Sequence, residues 1–334
     1  MIDRQTGRVD LRVTLLQPFH HGAGSSGTTA MLRTKPVIDP ETGERYDVPY
    51  LSANSVRHRI RASAAWHAIR TAGIDDGSLS RGAVHLLMSG GSLSATGSSV
   101  NLRQARRLAE LVPGLALMGF SAGNRMPAGK LMVSDLDLVC AENRWRAPED
   151  VRDDGRSGTP FGVWVDDCMS TRKSPLGDDD VRRLLPAAER EALDDDASKR
   201  LAKSRRGERS EGDPESLQAI YEHQILVTGA GFWGDIHYRG LDALERAALV
   251  AALSWWCIGE HADGRPLFHL GARESHGWGR AAIEFRGVTF ARPAERPSDL
   301  RPVAPGARPP ELVAYEEHLR EHAAEIRAML QEAA

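Results

Sequence analysis

The stretch "VPYLSANSVRHRIRASAAWHAIR", Val48–Arg70, decides how the chain is read. Val56, Ile60, Ala64, His67 and Ala68 recur near helical spacing, so the residues after Leu51 are expected to form a helix with one apolar side. Pro49 marks a turn leading into it, and Ser52 or Asn54 supplies the N-cap. Four arginines and no acid lie between Leu51 and Arg70, with His58 among them. Asn54, Arg57 and Arg61 are spaced i, i+3 and i+7 and share a side. A helix N-terminus offers unpaired N–H groups and partial positive charge. Arginines added there make an anion site suited to phosphate, although a solvated basic face would give the same pattern.

Upstream, "VDLRVTLL" alternates as a strand and "HHGAGSSGTT" reads as a glycine-rich loop. Downstream, residues 73–97 are rich in Gly and Ser and are expected to be irregular. "LRQARRLAELV" is a short helix ending at Pro113. "LALMGF", "LMVSDLDLV", "TPFGVWVDD" and "AIYEHQILV" read as strands. "LDALERAALVAALSWW" is a long amphipathic helix with Leu241, Leu244, Ala248 and Trp255 near one face, and "AAIEFRGVTF" is a closing strand. Without insertions the order is βαββαβ, so the fold class expected is α+β, a ferredoxin-like palm. Its segments are 1–72, 98–168 and 217–290, with a charged insertion at 169–216, a Pro-rich linker at 291–310 and a terminal helix at 311–334.

A net charge of −3 over 334 residues excludes a uniformly basic nucleic-acid binder, so any such surface must be a local stripe. Cys140, Cys168 and Cys257 are odd in number and form no CxxC, which fits a reducing cytosol. The start "MIDRQTGRVD" lacks an apolar signal core and no apolar run reaches membrane-spanning length, so a cytoplasmic protein without membrane contact is expected. The insertion carries Asp178–Asp180, Asp194–Asp196 and a basic run from Lys199 to Arg209, a composition that also suits a solvated segment.

Several motifs fail on context. "GAGSSGTT" has the glycine spacing of a phosphate loop, but Thr28 stands where lysine is required. "GAGFWG" follows a strand, but no helix opens at once, so a bend between strand and helix is expected. "HLREH" has zinc-peptidase spacing without a third ligand and reads as a solvated helix face. His20 and His21 are adjacent and point opposite ways in extended chain, which is weak support for acid–base chemistry. A second glycine cluster, "LGARESHGWGRAAIEF", sets Gly271, Gly277 and Gly279 around Arg273, Ser275, His276, Trp278 and Arg280. It offers close backbone approach, cations and a stacking plane; a plain β-turn is the alternative.

Taken in order, these two stretches resemble the RAMP superfamily of CRISPR-associated proteins, and more narrowly its Cas-seven-like backbone subunits. The pattern is carried by His21-Gly22, by the "VPYLSANSVRHRIR" helix start, and by Gly271, Ser275, Gly277, Gly279 and Arg280. The resemblance covers about residues 9–290, and its wording is most similar to type IV systems. It implies a modified RNA-recognition-type palm with inserted thumb and lid segments. It also implies guide RNA (crRNA) held by His21, Ser52, Asn54, Ser55, Arg57, His58 and Arg61, with Arg273, Ser275, His276, Trp278 and Arg280 as second contacts. Arg33 and Lys35 would near the RNA from the early loop, and Met169, Arg172 and Lys173 from the thumb. In the family it resembles, RNA-cleaving backbone subunits carry an aspartate in the early loop; here that loop has no acid before Asp39, so no target-RNA cleavage and no catalytic residue are expected, and no metal or cofactor is expected either. The first strand has no aromatic residue, so RNA is expected on the loops and helix start rather than across the sheet. The partners implied are other copies in a helical filament, other effector subunits, and target nucleic acid paired to the guide. Two rival readings stand beside this: an endoribonuclease using His20, His21 or His276, and a binder of a small phosphorylated ligand.

Overall fold

The structure is a computed structural model that describes residues 4–91, 102–121, 126–173, 186–189, 191, 218–291, 294–298, 301–303 and 309–332. In chain order the first strands are β1 (Gln5–Leu15), β2 (Gly22–Ser26), β3 (Thr29–Leu32), β4 (Thr34–Ile38) and β5 (Arg45–Leu51). Helices α1 (Ala53–Thr71), α2 (Arg81–Ser89), α3 (Leu102–Leu111) and α4 (Pro113–Met118) follow. Then come β6 (Leu131–Val133), β7 (Leu136–Leu138), α5 (Glu149–Arg152), β8 (Val165–Lys173), β9 (Gln218–Leu226) and β10 (Gly231–Leu241). The chain closes with α6 (Ala243–Trp256), β11 (Gly259–Glu260), β12 (Pro266–His269), β13 (Arg280–Ala291), β14 (Ala294–Ser298), α7 (Pro310–Glu321) and α8 (Ala323–Gln331). Two compact units result: Met1–Gly22 with Leu32–Asp166 and Ile225–Ala334, and Ala23–Met31 with Asp167–Gln224.

The first unit is built on one sheet of order β11-β12-β13-β1-β10-β7-β5-β4, with β6 also on β10 and β14 on β13. Strand β1 lies between β13 and β10, and β10 between β1 and the β6–β7 pair, all antiparallel. Helix α1 connects β1 to that pair by way of β4 and β5, and α6 connects β10 to β13. This is the α+β, ferredoxin-like arrangement expected from the βαββαβ order.

Burial alternates along β1: Val9, Leu11, Val13 and Leu15 are enclosed, while Arg8, Asp10, Arg12 and Thr14 are half-exposed. The enclosed set joins Phe232 and Ile236 of β10, Ile283 of β13, Val56 and Ile60 of α1, and Ala248 and Leu249 of α6 in one core. Helix α6 starts with a capping box, the Asp242 side chain accepting from the Glu245 N–H and the Glu245 side chain from the Asp242 N–H.

The chain itself covers part of the opposite face of the sheet. Val139, Ala147 and Val151 pack with Trp233 of β10. Asp150 accepts from Arg12 of β1 at 2.7 and 2.9 Å and from Arg286 of β13 at 2.8 Å. The Arg146 guanidinium lies 5.6 Å from the centre of the Trp233 ring. At one end of the sheet, β4 carries Pro36 opposite Asp47 of β5.

Several expectations are corrected. Pro49 lies within β5, paired with Thr34, rather than in a turn. "LALMGF" is mostly helix α4, and "LMVSDLDLV" breaks at Ser134–Asp135 into β6 and β7. Residues 73–97 include helix α2, with Leu86 and Leu87 buried; residues 92–97 lie outside those described. "GAGFWG" joins two strands, and β10 takes the place of the bend that was expected before the helix. Trp256, not Trp255, is the enclosed tryptophan of α6. Within the Pro-rich linker, residues 294–298 form β14. The terminal segment divides at His322 into α7 and α8 and is not merely solvated. Leu312, Tyr315, Leu319, Ile326 and Leu330 are buried, and Arg107 of α3 holds Glu325 by two hydrogen bonds of 2.7 Å.

In the second unit, "GAGSSGTT" forms the strands β2 and β3 instead of a loop, and the sheet order is β2-β3-β9-β8. Thr29 and Ala30 pair in parallel with Glu222 and His223. Most of 169–216, including the acidic triplets and the basic run, lies outside the described residues.

Leu319→Ala tests the terminal docking. A fully enclosed leucine is expected to contribute about 2–5 kcal/mol in urea denaturation. A value near zero would mean that α7 does not pack on the palm.

Candidate nucleic-acid interface

Helix α1 begins at Ser52, whose side-chain oxygen accepts from the Ser55 N–H at 3.4 Å. Its first amide is also satisfied, because Asp135 Oδ1 accepts from the Ala53 N–H at 2.8 Å. The helix N-terminus that the sequence offered to phosphate therefore already holds a carboxylate of the protein itself. The other Asp135 oxygen lies 3.0 Å from Lys35 Nζ, which is also 2.6 Å from Asp137 and 4.9 Å from the centre of the Tyr50 ring. Asp137 is almost fully buried and pairs with Arg146 at 2.7 Å. Lys35, expected near RNA, is thus engaged by two acids.

His21 lies beside the same helix start. Its Nε2 is 3.1 Å from Ser52 Oγ and accepts from the Ser52 N–H at 3.3 Å, which leaves the proton of the neutral ring on Nδ1. Burial first, then the charges of Arg33 and His20, lower its pKa from 6.5 to about 4, against an opposing pull from Asp135. His20 is buried.

The two arginines singled out by spacing turn inward. Arg57 donates to the carbonyls of Leu131 at 2.8 Å and Met118 at 3.2 Å. Arg61 donates to those of Gly119 at 2.9 Å and Met118 at 3.1 Å. The Met118 and Gly119 carbonyls lie at the C-terminal end of α4, where a cation is favourable, and the Leu131 carbonyl lies on β6. Burial, then the neighbouring Arg57, pulls the Arg61 pKa below its ordinary value. Of the remaining helix-start residues, Asn54 and His58 are exposed and Ser55 is half-buried.

The second glycine cluster lies next to this helix start. The Ala272 N–H donates to the His20 carbonyl at 2.8 Å and the Gly279 N–H to that of Pro18 at 2.6 Å. Gly271 and Gly279, at φ 72° and 73°, pass so close to the carbonyls of His20 and Leu270 that a Cβ would overlap them. Arg273 has φ 63° and lies 5.4 Å from the centre of the Trp278 ring. Arg59 of α1 donates to Glu274 Oε2 of the loop at 2.9 Å. Ser275, His276 and Arg280 are exposed, with Ser275 Oγ 3.2 Å from His276 Nδ1. Arg33 is exposed and donates to the Gly22 carbonyl at 3.2 Å, and its N–H donates to that of His21 at 2.7 Å.

The folded chain therefore brings the two stretches together around Pro18–Gly22. The exposed polar and cationic residues that these segments carry, their rim, include Arg33, Asn54, His58, Ser275, His276 and Arg280. Met169 belongs to the second unit and is 66% exposed. The Arg172 and Lys173 side chains lie outside the described residues. Sequence reasoning missed Asp135, hidden in what read as one continuous strand, and the partnership of Glu274 with Arg59.

Arg61→Ala is expected to destabilise the protein by about 2 kcal/mol in urea denaturation, because it deprives buried carbonyls of a charged donor. A loss of RNA binding in that variant would not by itself place Arg61 at a phosphate. His21 gives a pH signature. Its folded pKa lies below the unfolded value of 6.5, so between 6.5 and about 4 the unfolded chain binds more protons. Stability is held above that window and falls through it. His21→Gln is expected to lose less stability across the same window, measured by urea midpoints.

No protein-family model matches the chain, and no curated protein matches it. Among solved structures, a chain of a "Type IV-B CRISPR Complex" superposes with a TM-score of 0.50 at 20% identity, over 90% of this chain and 97% of that one. At this identity the likeness is one of fold: the chain shares its architecture with a component of a type IV-B CRISPR complex.

Proposed function

We propose that the protein is a non-catalytic guide-RNA-binding backbone subunit that repeats head-to-tail along the guide in a CRISPR effector ribonucleoprotein. The observation that carries this reading is the fold likeness to a chain of a type IV-B CRISPR complex, which spans nearly the full length of both chains. The rim supports it chemically. Arg33 and Arg280 supply guanidinium groups, Asn54 and Ser275 supply neutral donors, and His58 and His276 are also exposed. Such groups hold phosphates and set register without reading bases, and specificity is then left to pairing between guide and target. Arg57 and Arg61 serve this reading as braces of the helix, not as primary phosphate ligands. The cover over the outer sheet face favours a path along the loops, as does the absence of aromatic residues from β1.

Of the three histidines the endoribonuclease alternative could use, two are engaged or enclosed, and His276 is exposed. His21 Nε2 is engaged by Ser52, and His20 is enclosed. The small-ligand alternative relied on an open helix N-terminus, and Asp135 fills it.

The test is binding of single-stranded RNA to purified protein as salt is varied, with size-exclusion chromatography alongside. Wild type is expected to bind with a steep salt slope and to elute as large species with RNA. Arg33→Ala/Arg280→Ala is expected to flatten the slope by roughly 1.4, about 0.7 for each phosphate that is no longer neutralised. An unchanged slope would remove these residues from the interface, and a monomer with no affinity for RNA would refute the reading.

A further inference from the structure

The cations of the first half of α1 have different partners. Arg57 and Arg61 are committed to backbone carbonyls of Leu131, Met118 and Gly119. Arg59 lies between them in sequence but is engaged differently, its Nη2 donating to Glu274 Oε2 at 2.9 Å. The pair is solvent-accessible, the side chains being 36% and 48% exposed. It also joins the two elements that form the rim, with His58 exposed beside Arg59 and Ser275 and His276 exposed beside Glu274. Glu274 is an acid inside a loop that otherwise carries Arg273, His276 and Arg280.

A carboxylate and a phosphodiester present similar anionic oxygens to a guanidinium, and a half-exposed ion pair is weak enough to be exchanged. We propose that Glu274 is a displaceable stand-in for an RNA phosphate: it neutralises Arg59 in the free protein and yields to a phosphodiester oxygen when RNA lies on the rim. Arg59 then becomes a direct RNA ligand. Glu274 sets a threshold by disfavouring ligands that present too few phosphates to displace it. This inference rests on the RNA-binding reading above and assigns roles to two residues that lie outside the set marked by helical spacing and by the family resemblance.

The experiment is a double-mutant cycle in the full chain, read by fluorescence anisotropy of a labelled single-stranded oligouridine at low and moderate salt. Glu274→Gln removes the charge and keeps the shape. It is expected to tighten binding about two- to fivefold, the range for an exposed ion pair. Arg59→Ala is expected to weaken binding, and adding Glu274→Gln to Arg59→Ala is expected to change nothing further. Thermal midpoints of all three variants, expected to stay close to wild type, report whether the fold survives. Unchanged affinity in Glu274→Gln overturns the proposal. So does weaker binding, which would make the pair a tether that shapes the loop. Equal tightening with and without Arg59 also overturns it, because Glu274 would then act as a diffuse charge. Each of these results leaves the RNA-binding reading intact, whereas a wild type that does not bind oligouridine refutes both.

Discussion

The carbonyl oxygen of Met118 receives two guanidinium groups, and much of the first unit depends on that meeting. Helix α4 ends there, and the chain beyond it could not enclose its carbonyls without donors. Arg57 and Arg61 supply them from α1, one turn apart. That bond pattern fixes α1 against α4 and β6. It thereby fixes the first turn of α1 next to Asp135, Ser52 and His21. The rim is defined by what these braces leave outside.

Much of the architecture could be read from sequence because its physics is local. The alternation in β1 and the apolar stripe of α1 act within a few residues. Errors arose where tertiary partners decide. "LALMGF" is apolar throughout and carries no period, so its helical state follows from packing. Strand β10 was missed because "GAGFWGDIHYRG" mixes glycine and polar residues; its alternation is visible only once one face meets the core.

The candidate site followed the same division. The two stretches that form it were recognisable, because glycines at 271 and 279 and a capped helix start at 52 leave clear marks. The roles of individual cations were not. Nothing in the spacing of Arg57, Arg59 and Arg61 says that the outer two face carbonyls and the middle one faces a carboxylate from a loop more than two hundred residues away. Acids distant in sequence, Asp135 and Glu274, complete an arrangement that reads as unopposed when α1 is taken alone.

The end strand β4 sets how this side of the sheet can be met. Pro36 removes one N–H from it, and the Lys35 side chain beside it is held by acids of the same unit. An open sheet edge invites a neighbour's strand to continue the ladder, and proline on such an edge discourages this. Any partner meeting this side would therefore be recognised through side chains and loops, not through backbone pairing that any extended segment could imitate.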